Sequence, residues 1–242
     1  MLTNYLKLKD FISSIKDGSI FQFNNREMAG KILFQILTKF KNNMNDQFLV
    51  LCIPRGGVII GDIITDNFHC NFGIVMPRRL IAPHNNELSI GSIMKDGFIY
   101  LKNDLVSIYH ISDDYIQRVK NEKIKEIHQM ELLYNYEQID KNSIRSRKII
   151  LVDDGAATGS TLITASRWIK QFHPEQLIIA IPVCNKEILT CLKTEGDNII
   201  SILNPSSKNF TTVSHFYEDF STVRDEKIIE ILKKYKVNEF NS

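Results

Sequence analysis

Hydrophobic and polar positions along the chain follow two alternating rhythms. Unbroken apolar runs at Phe48-Leu-Val-Leu-Cys-Ile53, Ile149-Ile-Leu-Val152 and Leu177–Val183 read as strands covered on both faces. Phe72–Met76 and Ile199–Leu203 are shorter strands of the same kind. Between them the apolar residues fall at helical spacing. Residues 25–40 carry Met28, Ile32, Ile36 and Leu37, with Asn24 or Asn25 as the cap. A helical pattern resumes at Val58–Thr65, and Leu162, Ala165, Trp168 and Ile169 mark another helix. Ser112 caps a long charged helix from Asp113 to about Tyr136, with Ile116, Val119, Ile127, Met130 and Tyr134 on its inner stripe. A terminal helix is expected from about Arg224 to Tyr235.

A polar stretch separates Pro77-Arg-Arg79 from two further strands, Ile90–Met94 and Phe98–Leu101, hinged at Lys95-Asp-Gly97. The strand–helix–strand succession after residue 149 is a βαβ unit with a right-handed crossover. The predicted fold class is therefore α/β, a parallel sheet flanked by helices, with additions at both chain ends.

Composition narrows the partners. Thirty Lys and Arg against 28 Asp and Glu leave a net charge of +2, too balanced for a nucleic-acid-binding face. No apolar run approaches the ~20 residues that span a bilayer, and charged residues interrupt the amino-terminal stretch where a signal peptide would lie. The expectation is a cytoplasmic protein with neither nucleic acid nor membrane as partner. Cys52, Cys70, Cys184 and Cys191 show no zinc-ligand spacing, and Cys52 and Cys184 sit in apolar runs as small buried hydrophobes. The histidines are scattered without metal-ligand spacing.

Ligands of an open α/β sheet gather beyond the carboxyl ends of its strands. One such end reads Asp153-Asp154-Gly155-Ala156-Ala157-Thr158-Gly159-Ser160-Thr161. Two adjacent carboxylates there cannot both enter the core unpaired. The small residues allow close backbone approach, and a helix begins with free N–H groups, which together hold a phosphate. Carboxylates beside such a cradle suit the vicinal hydroxyls of a ribose or a hydrated Mg²⁺. The segment is neither a Walker A loop nor GxGxxG. A second strand end, Pro54-Arg55-Gly56-Gly57, combines two glycines with one fixed cation and forms an anion site.

Residues 149–161 resemble the phosphoribosyl-pyrophosphate signature of type I phosphoribosyltransferases. Asn25-Arg-Glu-Met-Ala-Gly30 is similar to the opening helix of a less characterised branch of that family, and Ile53–Val58 to its pyrophosphate loop. Arg78-Arg-Leu-Ile-Ala-Pro83 with Asn86–Gly91 is similar to its mobile loop, and Phe216–Ser221 to its closing tail. The resemblance implies a single domain over residues 1–242, with a core at about 24–200 and a hood from about 1–23 and 200–242. It gives Asp153 and Asp154 the ribose hydroxyls or a water-bridged Mg²⁺, residues 155–161 the 5′-phosphate, and Arg55, Gly56, Gly57 and Arg78 the pyrophosphate. Arg79 and Arg55 become the catalytic cations at the departing pyrophosphate, closed over by a lid. A homodimer is the expected assembly.

The implied reaction transfers the 5-phosphoribosyl group from phosphoribosyl pyrophosphate to a nitrogenous base in nucleotide salvage, with Mg²⁺ as cofactor. Relatives that use hypoxanthine and guanine place a third acid where this chain has Ala157, which removes that general base; Glu87 is the replacement candidate. Phe216, Tyr217, Asp219 and Phe220 are candidates for contact with the base. The second reading keeps the fold without turnover, as a regulator that senses phosphoribosyl pyrophosphate or nucleotides.

Overall fold

The apolar runs build one parallel sheet. In the computed structural model, which describes residues 22–40, 48–136, 139 and 141–239, it has five strands. These are β1 (Phe48–Cys52), β2 (Asn71–Ile74), β6 (Lys148–Val152), β7 (Gln176–Val183) and β8 (Asn198–Leu203). Their order is β2-β1-β6-β7-β8, and every neighbouring pair is parallel. The chain runs outward from β1 to β2 and returns on the opposite side of β1 to begin β6. The topological switch point therefore lies between β1 and β6.

Strand periodicity distributes the core over two faces. Phe48, Val50 and Cys52 pack with Ile150 and Val152 against Leu33 of α1 (Arg26–Leu37), Ile60 and Ile64 of α2 (Gly56–Phe68) and Ile228 of α7 (Asp225–Glu239). Leu49 and Leu51 join Ile149 and Leu151 against Leu162, Ala165 and Trp168 of α5 (Ser160–Lys170). Each fully buried aliphatic side chain contributes about 1.5–3 kcal/mol of transfer free energy, so the sheet sets where every strand end lies. Cys52 and Cys184 are buried, as expected from the sequence.

Two expected caps form. Asn25 Oδ1 accepts from the Met28 amide at 2.9 Å, and the Ser112 side chain caps α4 (Asp113–Tyr134) through the Tyr115 amide. The predicted α4 runs slightly too far, because Asn135 turns into the left-handed region and ends it. The terminal helix extends beyond Tyr235, and α2 begins at Gly56 rather than Val58.

The polar stretch after Pro77 differs from the expected loop. It forms β3 (Arg78–Ala82) and β4 (Asn85–Ile93), an antiparallel hairpin joined by β5 (Ile99–Leu101). Strand pairing satisfies the backbone whatever the polarity of the exposed tip, and only the inner positions Leu80, Ala82, Ile90 and Ile93 needed to be apolar. Those residues pack on Ile116 and Val119 of α4. Short helices α3 (Asn103–Ile108) and α6 (Lys186–Leu192) also form, too brief to show a period in the sequence.

Both sides of the expected hood touch. Phe23 N donates to Phe216 O at 2.9 Å, Glu218 N to Phe23 O at 2.8 Å and Asp219 N to Asn24 O at 2.9 Å. The hood's share at residues 1–21 lies outside the described residues.

Candidate functional site

The two strand-end loops leave adjacent strands. β1 and β6 pair in register, with Cys52 opposite Val152, so Pro54–Gly57 and Asp153–Thr161 emerge side by side at the switch point. They open on a cleft of about 450 Å³ whose lining includes Pro54, Arg78, Arg79, Asp153, Asp154 and Thr161. Sequence-distant motifs from the first strand end, the hairpin and the second strand end thus face one space.

The carboxylate pair is held tightly. Asp153 Oδ1 accepts from the Asp154 amide at 2.8 Å. Burial pushes the Asp153 carboxyl well above the usual carboxylate range, and the neighbouring Asp154 carboxylate adds to it. Burial raises Asp154 as well, while Arg26 opposes that rise. Arg26, the first residue of α1, donates from Nε to Asp154 Oδ2 at 2.8 Å and from Nη1 to Ser221 O at 2.9 Å. Its guanidinium lies 3.7 Å from the centre of the Phe220 ring. Tyr217 donates its hydroxyl to Asp154 O at 2.7 Å. Arg26 lies within the segment similar to the family's opening helix, but its partner is 128 positions away; no local pattern announces the contact.

Close packing explains the glycines. A Cβ at Gly56 would lie 1.8 Å from Asp154 Oδ2, and one at Gly57 would lie 2.7 Å from Val152 O. Gly56 leaves the room that Asp154 occupies. Both glycines start α2, where the first N–H groups have no intrahelical partner and form the positive end of the helix dipole. The second loop enters α5 through Gly159 at φ 68°, a left-handed turn that favours glycine. Ala156 anchors that loop by donating to Val183 O at 2.9 Å and accepting from the Asn185 amide at 3.1 Å.

Five side chains stand apart from the roles expected of them. Arg55 turns away from the cleft lining: its Nε lies 3.2 Å from Asp225 Oδ1 and its Nη2 3.3 Å from Oδ2. Asp225 in turn accepts from the Tyr134 hydroxyl at 2.8 Å, which burial and the Asp225 bond push up to about 12. A carboxylate 170 positions away has captured the loop arginine. Ser160 is fully buried, and its hydroxyl accepts from Ser89 Oγ at 3.3 Å. Phe216 and Tyr217 are buried in a cluster with Phe23 rather than open to a base. Asp219 accepts from the Ser221 amide at 2.9 Å and lies on a separate cleft.

Arg78 and Arg79 both reach the main cleft, Arg78 half-buried and Arg79 exposed. Burial lowers the Arg78 guanidinium from its usual value, with Glu126 pulling it back up; at physiological pH an arginine stays charged. Ala157 is exposed. Glu87 sits exposed near the hairpin tip and does not line the cleft. The acid that does line it, besides the Asp pair, is Glu126 of α4, together with Lys123. The sequence presents both as part of a solvated helix face, since only the packing of α4 on the hairpin turns them toward the cleft. Among the described residues no group of three or more His, Cys, Asp and Glu forms a metal cage, and no helix is long and apolar enough to cross a membrane.

Comparison with known proteins agrees with this architecture. Two curated Mycobacterium tuberculosis proteins, from strains CDC 1551 and H37Rv, carry the name "Putative phosphoribosyl transferase". Each is 24% identical over 212 residues, 88% of this chain and 46% of the relative. The chain thus spans about half the length of the curated relatives it matches. The crystal structure of TT1426 from Thermus thermophilus is similar at a TM-score of 0.71 and 26% identity, covering 89% of this chain and 99% of that one. That of AQ2163 from Aquifex aeolicus shares the fold at 0.50 and 13% identity, covering 88% of this chain and 96% of that one. A sequence profile described as "Phosphoribosyl transferase domain" matches residues 12–218. That match runs from ahead of α1, through both strand-end loops, to the tail that closes on Asp154, and the chain therefore belongs to the phosphoribosyl transferase domain family.

Proposed function

We propose that the chain binds phosphoribosyl pyrophosphate at the β1/β6 switch point and transfers its phosphoribosyl group to a nitrogenous base, releasing pyrophosphate. The observation that carries this reading is the placement of two helix-starting loops on adjacent strands, with a carboxylate pair between them facing one cleft. A ligand with an anion at each end and hydroxyls between them matches that arrangement.

In this reading the Thr158–Thr161 backbone holds the 5′-phosphate, with the Thr161 hydroxyl on the cleft side. Asp153 and Asp154 accept from the ribose hydroxyls. The Gly56 and Gly57 amides, Arg78 and Arg79 hold the pyrophosphate, and Arg55 contributes its backbone while its side chain stays on Asp225. The two half-buried carboxylates on the cleft also fit Mg²⁺ in its usual substrate mode, one or two protein carboxylates with ligand oxygens and water completing the shell. A bound Mg²⁺ supplies charge neutralisation at the pyrophosphate.

Displacement at ribose C1 needs little from the protein beyond position and charge. As the C1–O bond to pyrophosphate breaks, positive character builds on the ribose ring and negative charge on the leaving group. Arg78 and Arg79 stabilise the latter without reorganising. The base nitrogen forms the new bond to C1, and where it carries a proton that proton passes to the departing pyrophosphate or to water. The product is a nucleotide, and in this reading the chain serves nucleotide salvage in the cytoplasm.

The test is calorimetric titration with phosphoribosyl pyrophosphate and Mg²⁺, followed by pyrophosphate release against a panel of purine and pyrimidine bases. Binding with release for one base establishes the transferase. Binding without release across the panel supports the sensing regulator instead, and absence of binding rejects both.

A further inference from the structure

Helix α4 belongs to none of the motifs that build the proposed site, yet it forms one wall of the cleft. Its placement is rigid. Ile116 and Val119 are buried against the β3–β4 hairpin, and the Tyr115 hydroxyl donates to Ile81 O at 2.9 Å. Further along, Lys95 Nζ lies 2.7 Å from Glu131 Oε2, and Tyr134 is fixed to Asp225. Between these anchors, α4 turns Lys123 and Glu126 to the same cleft as Arg78, Asp153 and Asp154.

Lys123 is set apart from the exposed charges of α4. Its side chain retains 24% of its exposure, and its ammonium pairs with Glu126 one turn later at 2.5 Å. A lysine ammonium carries three donors, so one bond to Glu126 leaves two for a ligand. The Arg78 guanidinium lines the same cleft and makes no hydrogen bond or ion pair with the described residues, although burial disfavours its charge. Both cations line the cleft, Glu126 offsets part of the burial cost of the Arg78 charge, and an anion entering the cleft is attracted by both.

We propose that Lys123 binds the diphosphate end of the ligand together with Arg78, which makes α4 part of the binding site. The proposal rests on the functional reading above, and it assigns Lys123 to the pyrophosphate end and not to the 5′-phosphate. A compact ammonium is a common phosphate binder, acting as a point charge.

The experiment compares native protein, Lys123→Ala and Lys125→Ala, the last removing the same charge from an exposed position on the same helix. Each is titrated with Mg²⁺-pyrophosphate and, separately, with ribose 5-phosphate, after thermal melts confirm folding. Lys123→Ala is expected to weaken pyrophosphate binding about tenfold, and to leave ribose 5-phosphate within about twofold. Lys125→Ala is expected to change neither by more than about twofold. Unchanged pyrophosphate affinity in Lys123→Ala, an equal loss for both ligands, or an equal loss in Lys125→Ala overturns the assignment of Lys123 while the functional reading stands. A native protein that binds neither ligand overturns both.

Discussion

Replacing Gly56 with alanine should damage ligand binding more than folding. The new Cβ would lie 1.8 Å from Asp154 Oδ2, 2.3 Å from its Cγ and 2.8 Å from Arg26 Nε. A Cβ admits no neighbour closer than about 3.0 Å, so Oδ2 must retreat by about 1.2 Å and the guanidinium must move too. Both groups are side-chain ends, so the backbone is not forced apart. The 2.8 Å bond between them is disrupted, costing about 1.5–3 kcal/mol as a charge-assisted hydrogen bond. Alanine in a helix returns about 0.5–1 kcal/mol. The net loss of about 1–2 kcal/mol lowers Tm by about 2–8 °C in a chain of this size. Asp154 also leaves the place proposed for it opposite the ribose hydroxyls. Losing that charge-assisted bond weakens phosphoribosyl pyrophosphate binding about 10- to 150-fold. Gly57→Ala is the control, because its Cβ would meet backbone, Val152 O at 2.7 Å and Asp153 Cα at 3.0 Å. It should cost more stability, near the upper end of the ~1–3 kcal/mol typical of overpacking. Calorimetric titration and thermal melts of both variants decide the matter. A Gly56→Ala protein that binds as tightly as the native one would refute the idea that Asp154 must stay where Gly56 allows it.

Two further perturbations probe the same carboxylates. Arg26→Ala strips the charge partner from Asp154 in a pair with only 11% and 17% side-chain exposure. It should cost about 3 kcal/mol, a Tm loss of about 6–12 °C; a melt within about 2 °C of native would mean that Phe220 and Tyr217 hold the site without it. Asp153→Asn tests the raised carboxyl. Burial lifts its folded titration above the unfolded value of about 3.9, so ionisation opposes folding, and stability is fully present below about pH 4 and lost as pH rises through the folded value. In melts of ligand-free protein, the variant should therefore gain on the native chain as pH climbs from about 4 to 8. A variant that loses ground over that range would show that Asp153 is stabilised as a carboxylate.

Legibility in the sequence tracked how local the determining forces are. β1, β6 and β7 stand out because strands buried on both faces must be apolar throughout, and the caps at Asn25 and Ser112 act within one helical turn. The loop from Asp153 to Thr161 is legible for the same reason, since consecutive residues set its left-handed turn at Gly159 into α5. The hairpin at Arg78–Ile93 was obscured because its polar tip protrudes from the core and its regularity comes from pairing. The Arg55 side chain pairs with Asp225, a contact that only the folded chain creates, and the Arg26 contact escapes a local pattern because Asp154 is remote in sequence. Ser160 looked like one more hydroxyl for a phosphate, but its side chain faces Ser89 on a hairpin that the sequence did not place over α5.

The in-register pairing of β1 with β6 has a consequence for which ligands the cleft can span. Hydrogen-bonded neighbours in a sheet lie about 4.8 Å apart, and the two helix-starting loops leave from residues at the same level, Cys52 and Val152. The roots of the two loops are therefore spaced by backbone hydrogen bonding, but their reach is unequal: α2 begins four residues after Cys52 and α5 eight residues after Val152. In the proposed reading, loop length rather than strand order sets how far apart the two anion grips stand, and a residue inserted into either loop would change the ligand length that the cleft spans.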